Sequence, residues 1–215
     1  MKVDLYEKIL KVNDYLAEKN RELFAAENVT AIGLLGSPGA GKTALVERTV
    51  AELKNRGIRP AVLVGDLATT RDAERIEPYD IPCAQLTTDG ACHLEAQQIS
   101  QAVADFDLKN LDILIIENVG NLVCPSTYPL GEEFRAVVLS IPEGDDKIEK
   151  YPSTFIKTNG IIINKMDLYQ PGAYDLEKAR RDARTLNRDA AWFELSCATG
   201  EGIDAWVDFL LDLRR

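Results

Sequence analysis

The sequence predicts a single α/β domain over residues 1–215, in which helices cover both faces of a mainly parallel β-sheet. Short apolar runs alternate along the chain with segments of helical periodicity, which is typical of this fold class. The first apolar run, Val29 to Leu35, leads directly into a glycine-rich loop and then into a helix-patterned segment. With 215 residues and 46% apolar composition, the chain is also long enough to bury a sizeable core.

The spacing of apolar residues predicts each element in turn. Residues 4–26 have the periodicity of an amphipathic helix, which is expected to pack on the domain or on a partner. A second helix follows the glycine-rich loop and ends near Gly57. Buried strands are predicted at Pro60–Val64, Cys83–Leu86, Ile113–Ile116, Ala136–Ile141, Gly160–Ile163 and Trp192–Leu195. Further helices are predicted at Leu94–Phe106, Leu176–Leu186 and Ile203–Leu213, and loops at Cys124–Gly131 and Pro142–Ser153.

The glycine-rich loop matches the phosphate-binding pattern G-x-x-x-x-G-K-[ST] and reads Gly36-Ser37-Pro38-Gly39-Ala40-Gly41-Lys42-Thr43. Its glycines let successive backbone N–H groups face one anion, and the next helix adds its N-terminal dipole. Lys42 is expected to reach the outer phosphates, and the Thr43 hydroxyl to hold Mg²⁺. A Gly/Pro turn that matches by chance is the alternative. The strand–loop–helix context favours a nucleoside triphosphate site.

A second motif indicates which base is bound. Asn164-Lys165-Met166-Asp167 directly follows the strand predicted at Gly160–Ile163. The Asp167 carboxylate can accept hydrogen bonds from both guanine N1–H and the exocyclic amine, whereas adenine would leave buried polar groups unpaired. An incidental Asx-type turn is the alternative. This element resembles the base-recognition motif of the GTPase superfamily, and the resemblance implies GTP as the nucleotide.

The final base-contacting loop of that superfamily usually reads Ser-Ala-Lys, and here Ser196-Cys197-Ala198 resembles it. Alanine at Ala198 stands where lysine is common, so the side-chain stacking of that lysine is absent. The backbone N–H of Cys197 or Ala198 remains available to contact the guanine oxygen.

Two acidic residues complete the predicted catalytic set with Lys42. Glu117 ends the strand Ile113–Ile116, and with Gly120 it resembles the acidic-x-x-Gly switch of GTPases. Glu117 is expected to bind Mg²⁺ or polarise the attacking water, and the Gly120 N–H to sense the γ-phosphate. Asp66 is expected to approach Mg²⁺ or water, with a role as a turn cap as the alternative. Because Asn121, not glutamine, follows Gly120, intrinsic hydrolysis is expected to be slow.

Composition narrows the classes of partner and compartment. The net charge is −10 (25 basic and 35 acidic residues), with no basic stripe, which argues against nucleic acid as a general partner. No apolar stretch approaches the ~18 residues of a membrane span. The first residues lack the features of a signal peptide. The four cysteines therefore indicate reduced thiols, and the predicted location is cytoplasmic.

A candidate transition-metal site contains the only histidine. His93 lies beside Cys92 at the start of a predicted helix, and Cys124 lies shortly after the Glu117–Gly120 switch. Thiolate and imidazole suit nickel, zinc or copper rather than magnesium. Three such ligands are one short of a closed tetrahedral site, so the metal exchanges readily or two chains complete the site. A lone His beside a lone Cys is otherwise usually structural, and Cys83 and Cys197 are interpreted as ordinary cysteines.

These motifs together resemble the HypB family of GTPases, which take part in nickel insertion during maturation of nickel–iron hydrogenases. The resemblance runs from the Asn28 region to the C-terminus. Besides the phosphate loop and the guanine motif, it includes Tyr151-Pro152 and the strings Gly65–Thr69, Asp89–Leu94 and Glu117–Pro125, of which the last two are the most discriminating.

The resemblance implies that Cys92, His93 and Cys124 bind nickel or zinc. It also implies the GTP-dependent homodimerisation of the signal-recognition-particle and nitrogenase-iron-protein class. A HypA-type metallochaperone is the implied partner, and a hydrogenase large-subunit precursor the implied recipient. By the same analogy, Lys147 or Lys150 approaches the nucleotide of the opposite subunit.

The chain departs from some family members at its N-terminus. It has neither a Cys-x-x-Cys-Gly-Cys motif nor a histidine-rich tract, which argues against a tight N-terminal nickel store. Three alternatives remain open: an accessory GTPase for urease or another metalloenzyme, a metal-sensing GTP-binding regulatory module, and a small-molecule kinase. The guanine motif and the absence of an arginine-rich lid disfavour the kinase.

Overall fold

The computed structural model describes residues 2–66, 71–88 and 90–214 of the chain. Part of the Gly65–Thr69 string, residues 67–69, lies outside the described residues, as does Asp89. The described residues form a parallel sheet of seven strands in the order β3-β2-β4-β1-β5-β6-β7. The strands are β1 (Thr30–Gly36), β2 (Pro60–Asp66), β3 (Cys83–Thr87), β4 (Ile113–Glu117), β5 (Phe134–Ser140), β6 (Gly160–Asn164) and β7 (Ala191–Glu194).

Helices lie on both faces of this sheet, as predicted. They are α1 (Lys2–Ala26), α2 (Lys42–Asn55), α3 (Arg71–Ile76), α4 (Ala96–Val103), α5 (Lys147–Lys150), α6 (Pro152–Ile156), α7 (Leu176–Leu186) and α8 (Ile203–Leu213). Alternate residues of each central strand point to opposite faces. On β1, Ile32 packs with α2 and α8, while Ala31 packs with α1 and α4 and Leu35 with α6 and α7. Within the described chain, no helix combines the length and apolarity that a membrane crossing requires.

Several predicted boundaries are corrected by local capping. The predicted helix Leu94–Phe106 is shorter, because Glu95 caps α4 and exchanges hydrogen bonds with Gln98. The strand predicted at Ala136–Ile141 is Phe134–Ser140 instead, since Ser140 caps a 3-10 turn that begins at Ile141.

The two predicted loops also contain short helices. The segment Pro142–Ser153 includes α5 and the start of α6, where Pro152 occupies the first turn and favours helix formation. The segment Cys124–Gly131 begins with a 3-10 turn over Cys124–Thr127, in which a proline again occupies the first turn.

Helix α1 packs on the domain itself through two buried asparagines. The Asn13 amide donates to the carbonyl of Pro129 at 2.8 Å, and its oxygen accepts the backbone N–H of Ala96 at 2.9 Å. The Asn20 amide donates to the carbonyls of Ala96 and Leu130, both at 2.9 Å. Helix α1 is therefore bonded to the start of α4 and to the segment that follows Cys124.

Candidate functional site

The predicted functional side chains converge at the carboxyl edge of the sheet, where ligands of open parallel α/β folds bind. Gly36, Asp66, Glu117 and Asn164 are the last residues of β1, β2, β4 and β6. Of these, Asp66 and Glu117 line a cleft of about 410 Å³. Its lining includes Pro38, Gly39, Gly41, Lys42, Thr43, Asp66, Glu117, Gly120 and Lys165, together with Ala44, Gly65, Asp72, Arg75 and Asn118.

The phosphate loop has the backbone that an anion cradle needs. Gly41 precedes α2 with φ 95°, a left-handed conformation that favours glycine, and a Cβ there would collide with the Asn164 amide. The Lys42 ammonium donates to the carbonyls of Gly36 at 3.1 Å and Ser37 at 3.3 Å. Burial lowers the pKa of Lys42, while Glu117 opposes that shift. The ammonium is thus held beside the loop by bonds that a phosphate can replace.

Glu117 is a buried carboxylate of the cleft whose pKa is strongly shifted. It is 3% exposed, and burial raises its pKa to about 7 against the opposing influence of Lys42 and of the Thr43 hydroxyl. Thr43 donates to its Oε1 at 2.8 Å, whereas its Oε2 is buried without a hydrogen-bond partner among the described residues. An oxygen in that situation fits a cation, because it has lost water without gaining a donor.

The predicted base-recognition residues Asn164 and Lys165 are bonded to the phosphate loop. The Asn164 amide donates to the carbonyl of Ala40 at 3.1 Å, and the Lys165 ammonium donates to that of Gly39 at 2.7 Å. The Ser196 hydroxyl donates to the Asp167 carboxylate, which fixes one of its oxygens. The predicted guanine-binding residues therefore lie together on one side of the loop.

The loop Ser196-Cys197-Ala198, predicted to contact the base, is held by a residue outside the predicted set. The Cys197 N–H donates to the Asn164 side-chain oxygen at 3.2 Å. Arg48, on α2, donates to the carbonyl of Cys197 at 2.8 Å and to that of Ala198 at 3.2 Å. Burial raises the pKa of Cys197 to about 11, and it does the same for Cys83, so both are thiols near neutral pH. The positions of these two cysteines agree with an ordinary structural role.

The predicted metal ligands are neighbours in pairs. Cys92 Sγ lies 3.6 Å from His93 Nδ1, in the irregular segment just before α4. The side chain of Cys124 interacts with the Cys92 thiol and is the main reason that the pKa of Cys92 is raised. Burial lowers the pKa of His93, which favours the neutral imidazole that binds metals. Among residues 2–66, 71–88 and 90–214, no three His, Cys, Asp or Glu side chains are grouped closely enough to hold an ion.

One segment, Glu117–Cys124, connects the cleft with these thiols. Asn121 forms an antiparallel bridge with Gly36, and its amide donates to the carbonyl of Cys92 at 3.2 Å. The Asn118 oxygen accepts the Leu94 N–H at 3.1 Å. Gly120 packs closely on Pro38: a Cβ added to Gly120 would lie 2.9 Å from Pro38 Cγ. The switch therefore contacts both the phosphate loop and the backbone around His93.

Sequence reasoning missed several residues of this arrangement. Asp72 and Arg75, on α3, line the cleft, and Arg75 is paired with Glu47 of α2. The contacts of Arg48 and Asn118 were also not predicted. Asp72, Arg75 and Arg48 belong to no motif with fixed spacing. Only Asn118 and Asn121 had a signal, as polar residues within the discriminating string Glu117–Pro125.

The fold and the cleft define the class as a phosphate-loop nucleotide-binding protein. The family model described as "CobW/HypB/UreG, nucleotide-binding domain" matches residues 30–194. The chain is 40% identical over 208 residues to the probable hydrogenase maturation factor HypB of Methanocaldococcus jannaschii, covering 97% of this chain and 94% of that protein. It is 39% identical over 220 residues to the hydrogenase/urease maturation factor HypB of Helicobacter pylori strain 26695, covering 99% and 88%.

A solved structure agrees with these similarities. The crystal structure of HypB from Helicobacter pylori in complex with nickel superposes with a TM-score of 0.88 at 37% identity, covering 94% of this chain and 95% of that one. The chain belongs to the HypB family of hydrogenase maturation factors, within the CobW/HypB/UreG group of nucleotide-binding proteins.

Proposed function

We propose that the chain is a GTP-binding and GTP-hydrolysing metallochaperone that couples nucleotide-dependent homodimerisation to nickel delivery into a hydrogenase precursor. The supporting observation is the shared segment Glu117–Cys124. It begins at the cleft, ends at one of the predicted metal-binding thiols, and is bonded through Asn121 to the backbone of Cys92. A shift of this segment on γ-phosphate binding would therefore move the metal-binding groups.

Mg²⁺ fits the residues at the inner end of the cleft. The buried Oε2 of Glu117, which has no hydrogen-bond partner among the described residues, lies on the carboxylate that accepts the Thr43 hydroxyl. Oxygen donors of this kind suit Mg²⁺. Thr43, Glu117 and Asp66 would hold the ion, which when bound supplies positive charge at the phosphates. Lys42 adds the second cation by exchanging its carbonyl partners for phosphate oxygens.

Slow intrinsic hydrolysis is also part of the proposal. Asn121 stands where a water-orienting glutamine would be, and its side chain is already bonded to Cys92 and to the Val123 N–H. Asn121 is for this reason left out of the proposed catalytic set, which consists of Lys42, Asp66 and Glu117. A fast single-turnover rate for the isolated protein would contradict this part of the proposal.

Nickel is the proposed cargo, with zinc as the alternative ion at the same donors. Cys92, His93 and Cys124 supply thiolates and an imidazole, which both metals accept. The nickel-bound structure of the Helicobacter pylori relative supports this choice. A HypA-type metallochaperone and a hydrogenase large-subunit precursor are the proposed partners.

Light scattering tests the link between nucleotide, metal and dimer. The protein is sized with GDP or a non-hydrolysable GTP analogue, each with and without nickel. We expect a dimer with the analogue, and a nickel effect that Cys92→Ala and His93→Ala abolish. Cys83→Ala is the matched control, because Cys83 lies on β3 outside the proposed metal site. An unchanged mass in every condition would contradict the proposal.

Equilibrium dialysis separates metal transfer from static sensing. Nickel affinity is measured with GDP and with the GTP analogue, in wild type and in Asn121→Ala. A transfer protein should bind nickel differently in the two nucleotide states, and the variant should reduce that difference. Equal affinity in both states would favour a metal-sensing module.

Nickel delivery to urease is a second candidate function, because the Helicobacter pylori relative is named a hydrogenase/urease maturation factor. The nickel-loaded protein is offered with GTP to a hydrogenase precursor and to an apo-urease. Activation of the hydrogenase alone would support the main proposal, and activation of the urease would support the second candidate.

A further inference from the structure

We propose that Glu95 is a positioning residue for the metal site. Its carboxylate accepts the Nε2–H of His93, so that His93 presents Nδ1 to the metal. The inference rests on the metal site of the proposed function, to which it adds one residue and the identity of the ligating atom.

The thiols lie on the Nδ1 side of the imidazole ring. Cys92 Sγ is 3.6 Å from His93 Nδ1, and the side chain of Cys124 interacts with the same thiol. With Zn–S near 2.3 Å and Zn–N near 2.1 Å, two ligands of a tetrahedral ion lie about 3.6 Å apart. Cys92 and His93 Nδ1 are thus already at the separation that one shared ion requires.

The opposite edge of the ring faces a carboxylate. His93 Nε2 is buried and has no hydrogen-bond partner within the described part of the chain. Glu95 Oε1 lies 3.8 Å from it, so a movement of about 1 Å would make a hydrogen bond. Metal-binding imidazoles almost always donate their other N–H to a carboxylate or carbonyl, which fixes the tautomer and the ring orientation. Glu95 is placed to accept that proton.

Tyr128 holds the ring between these two partners. Its ring is stacked on His93 with centroids 3.7 Å apart and an angle of 25° between the planes. The backbone of Tyr128 is itself fixed, because its carbonyl accepts a hydrogen bond from Arg135 at 3.4 Å. Arg135 is buried and paired with Glu132. This packing keeps one edge of the imidazole toward the thiols and the other toward Glu95.

Glu95 also caps α4, so the test must separate the two roles. Glu95→Ser keeps an N-cap acceptor but is too short to reach His93. Gln98→Ala is the matched control, because it removes the reciprocal capping bond and leaves Glu95 and His93 in place. Affinity for Ni²⁺ and Zn²⁺ and the thermal unfolding midpoint are measured for both variants.

We expect Glu95→Ser to weaken metal binding by about 10- to 100-fold with little change in the midpoint. We expect Gln98→Ala to lower the midpoint and to leave metal affinity unchanged. An equal loss of affinity in both variants would overturn the inference, since the helix cap alone would then explain it.

The single histidine allows a direct test of the ligating atom. Protein labelled with ¹⁵N-histidine gives one imidazole in an NMR spectrum, and loading with ¹¹³Cd²⁺ reveals the ligating nitrogen by its coupling. We expect coupling at Nδ1 and a proton on Nε2. Coupling at Nε2 in a protein that binds the metal would overturn this inference alone. A wild type that binds no metal would instead overturn the proposed function.

Discussion

At the scale of single residues, the proposed base-binding loop is held by Arg48, which belongs to none of the recognised motifs. Where lysine is common in the GTPase superfamily, this chain has Ala198. Arg48 donates from α2 to the carbonyls of Cys197 and Ala198, which fixes the peptide groups of that loop. The backbone N–H groups that we propose to face the base are thus held by a side chain elsewhere in the sequence.

Replacing Arg48 with alanine should therefore weaken guanine recognition. We expect the GDP affinity of Arg48→Ala to fall about tenfold, equivalent to ~1.4 kcal/mol, because a charged donor to the loop is lost. The preference for GDP over ADP should fall as well, which a merely structural role would not change. Calorimetric titration with both nucleotides measures this. Arg48→Lys retains one donor and serves as the control, and an unchanged preference in Arg48→Ala would contradict the prediction.

At the scale of elements, α1 supports the two segments that carry the proposed metal-binding residues. The Asn20 amide donates to Ala96 at the start of α4 and to Leu130 after the Cys124 turn, and its oxygen accepts the Ser100 hydroxyl at 2.6 Å. The asparagine is 2% exposed. Buried polar groups of this kind are costly to leave unpaired.

Asn20→Ala should lower the free energy of unfolding by about 2 kcal/mol, because the carbonyls of Ala96 and Leu130 and the Ser100 hydroxyl each lose one hydrogen bond. Nickel affinity should fall as well, because the start of α4 and the segment after Cys124 are no longer both bonded to Asn20. Denaturant unfolding and metal titration measure both effects. Glu18→Ala, on the exposed face of the same helix, is the control and should change stability by less than about 0.5 kcal/mol. A loss of stability with unchanged nickel affinity would limit α1 to a packing role.

The contact between the switch and the phosphate loop gives a second prediction at this scale. A Cβ on Gly120 would lie 2.9 Å from Pro38 Cγ and 3.2 Å from Pro38 Cα, so one of the two segments must shift. Overpacking of this kind costs about 1–3 kcal/mol. In Gly120→Ala, affinity for a GTP analogue should fall about tenfold or more. Affinity for GDP in the same variant is the control, because GDP has no γ-phosphate to contact Gly120. Equal losses for both nucleotides would contradict a γ-phosphate sensor.

At the scale of the whole molecule, charged groups secure the edge of the sheet opposite the cleft. The Asp112 carboxylate, just before β4, accepts from Arg59 at 2.9 Å and from Arg214 at 2.7 Å. These bonds join the chain before β2 and β4 to the end of α8. The hydrogen bonds from Arg59, with a smaller contribution from Arg214, lower the pKa of Asp112 to about 2.

Because the folded pKa of Asp112 lies below its ordinary value of 3.8, its contribution to stability is complete above about pH 4. That contribution is lost as the pH falls through about 2. Asp112→Asn should be less stable than wild type by about 1 kcal/mol at pH 7. This figure is smaller than the pKa shift alone would give, because Arg59 is partly exposed and solvent screens its interaction with Asp112. The two proteins should converge near pH 2. Denaturant unfolding across this range measures the difference, with the exposed Asp14→Asn on α1 as control. A constant difference at all pH values would contradict the titration.

Sequence patterns were sufficient to predict a candidate site residue wherever its role depends on a few neighbouring residues. The phosphate loop and the strand-end residues Glu117 and Asn164 were predicted because period-2 burial and glycine geometry act over a few residues. Helix α3 and the short helices after Ile141 were missed, because runs of four to six residues give too few turns for a periodicity.

The sequence by itself determined the parallel α/β architecture, the nucleotide cleft and the residue types offered to a metal. The tertiary structure decided which distant groups meet. Arg48 reaches the base loop, Asn121 joins the switch to Cys92, and Glu95 faces the far nitrogen of His93. Local periodicity records which face of an element is buried, whereas hydrogen bonds between loops depend on the packing of the whole chain. For that reason the connection between the two sites is visible only in the folded molecule.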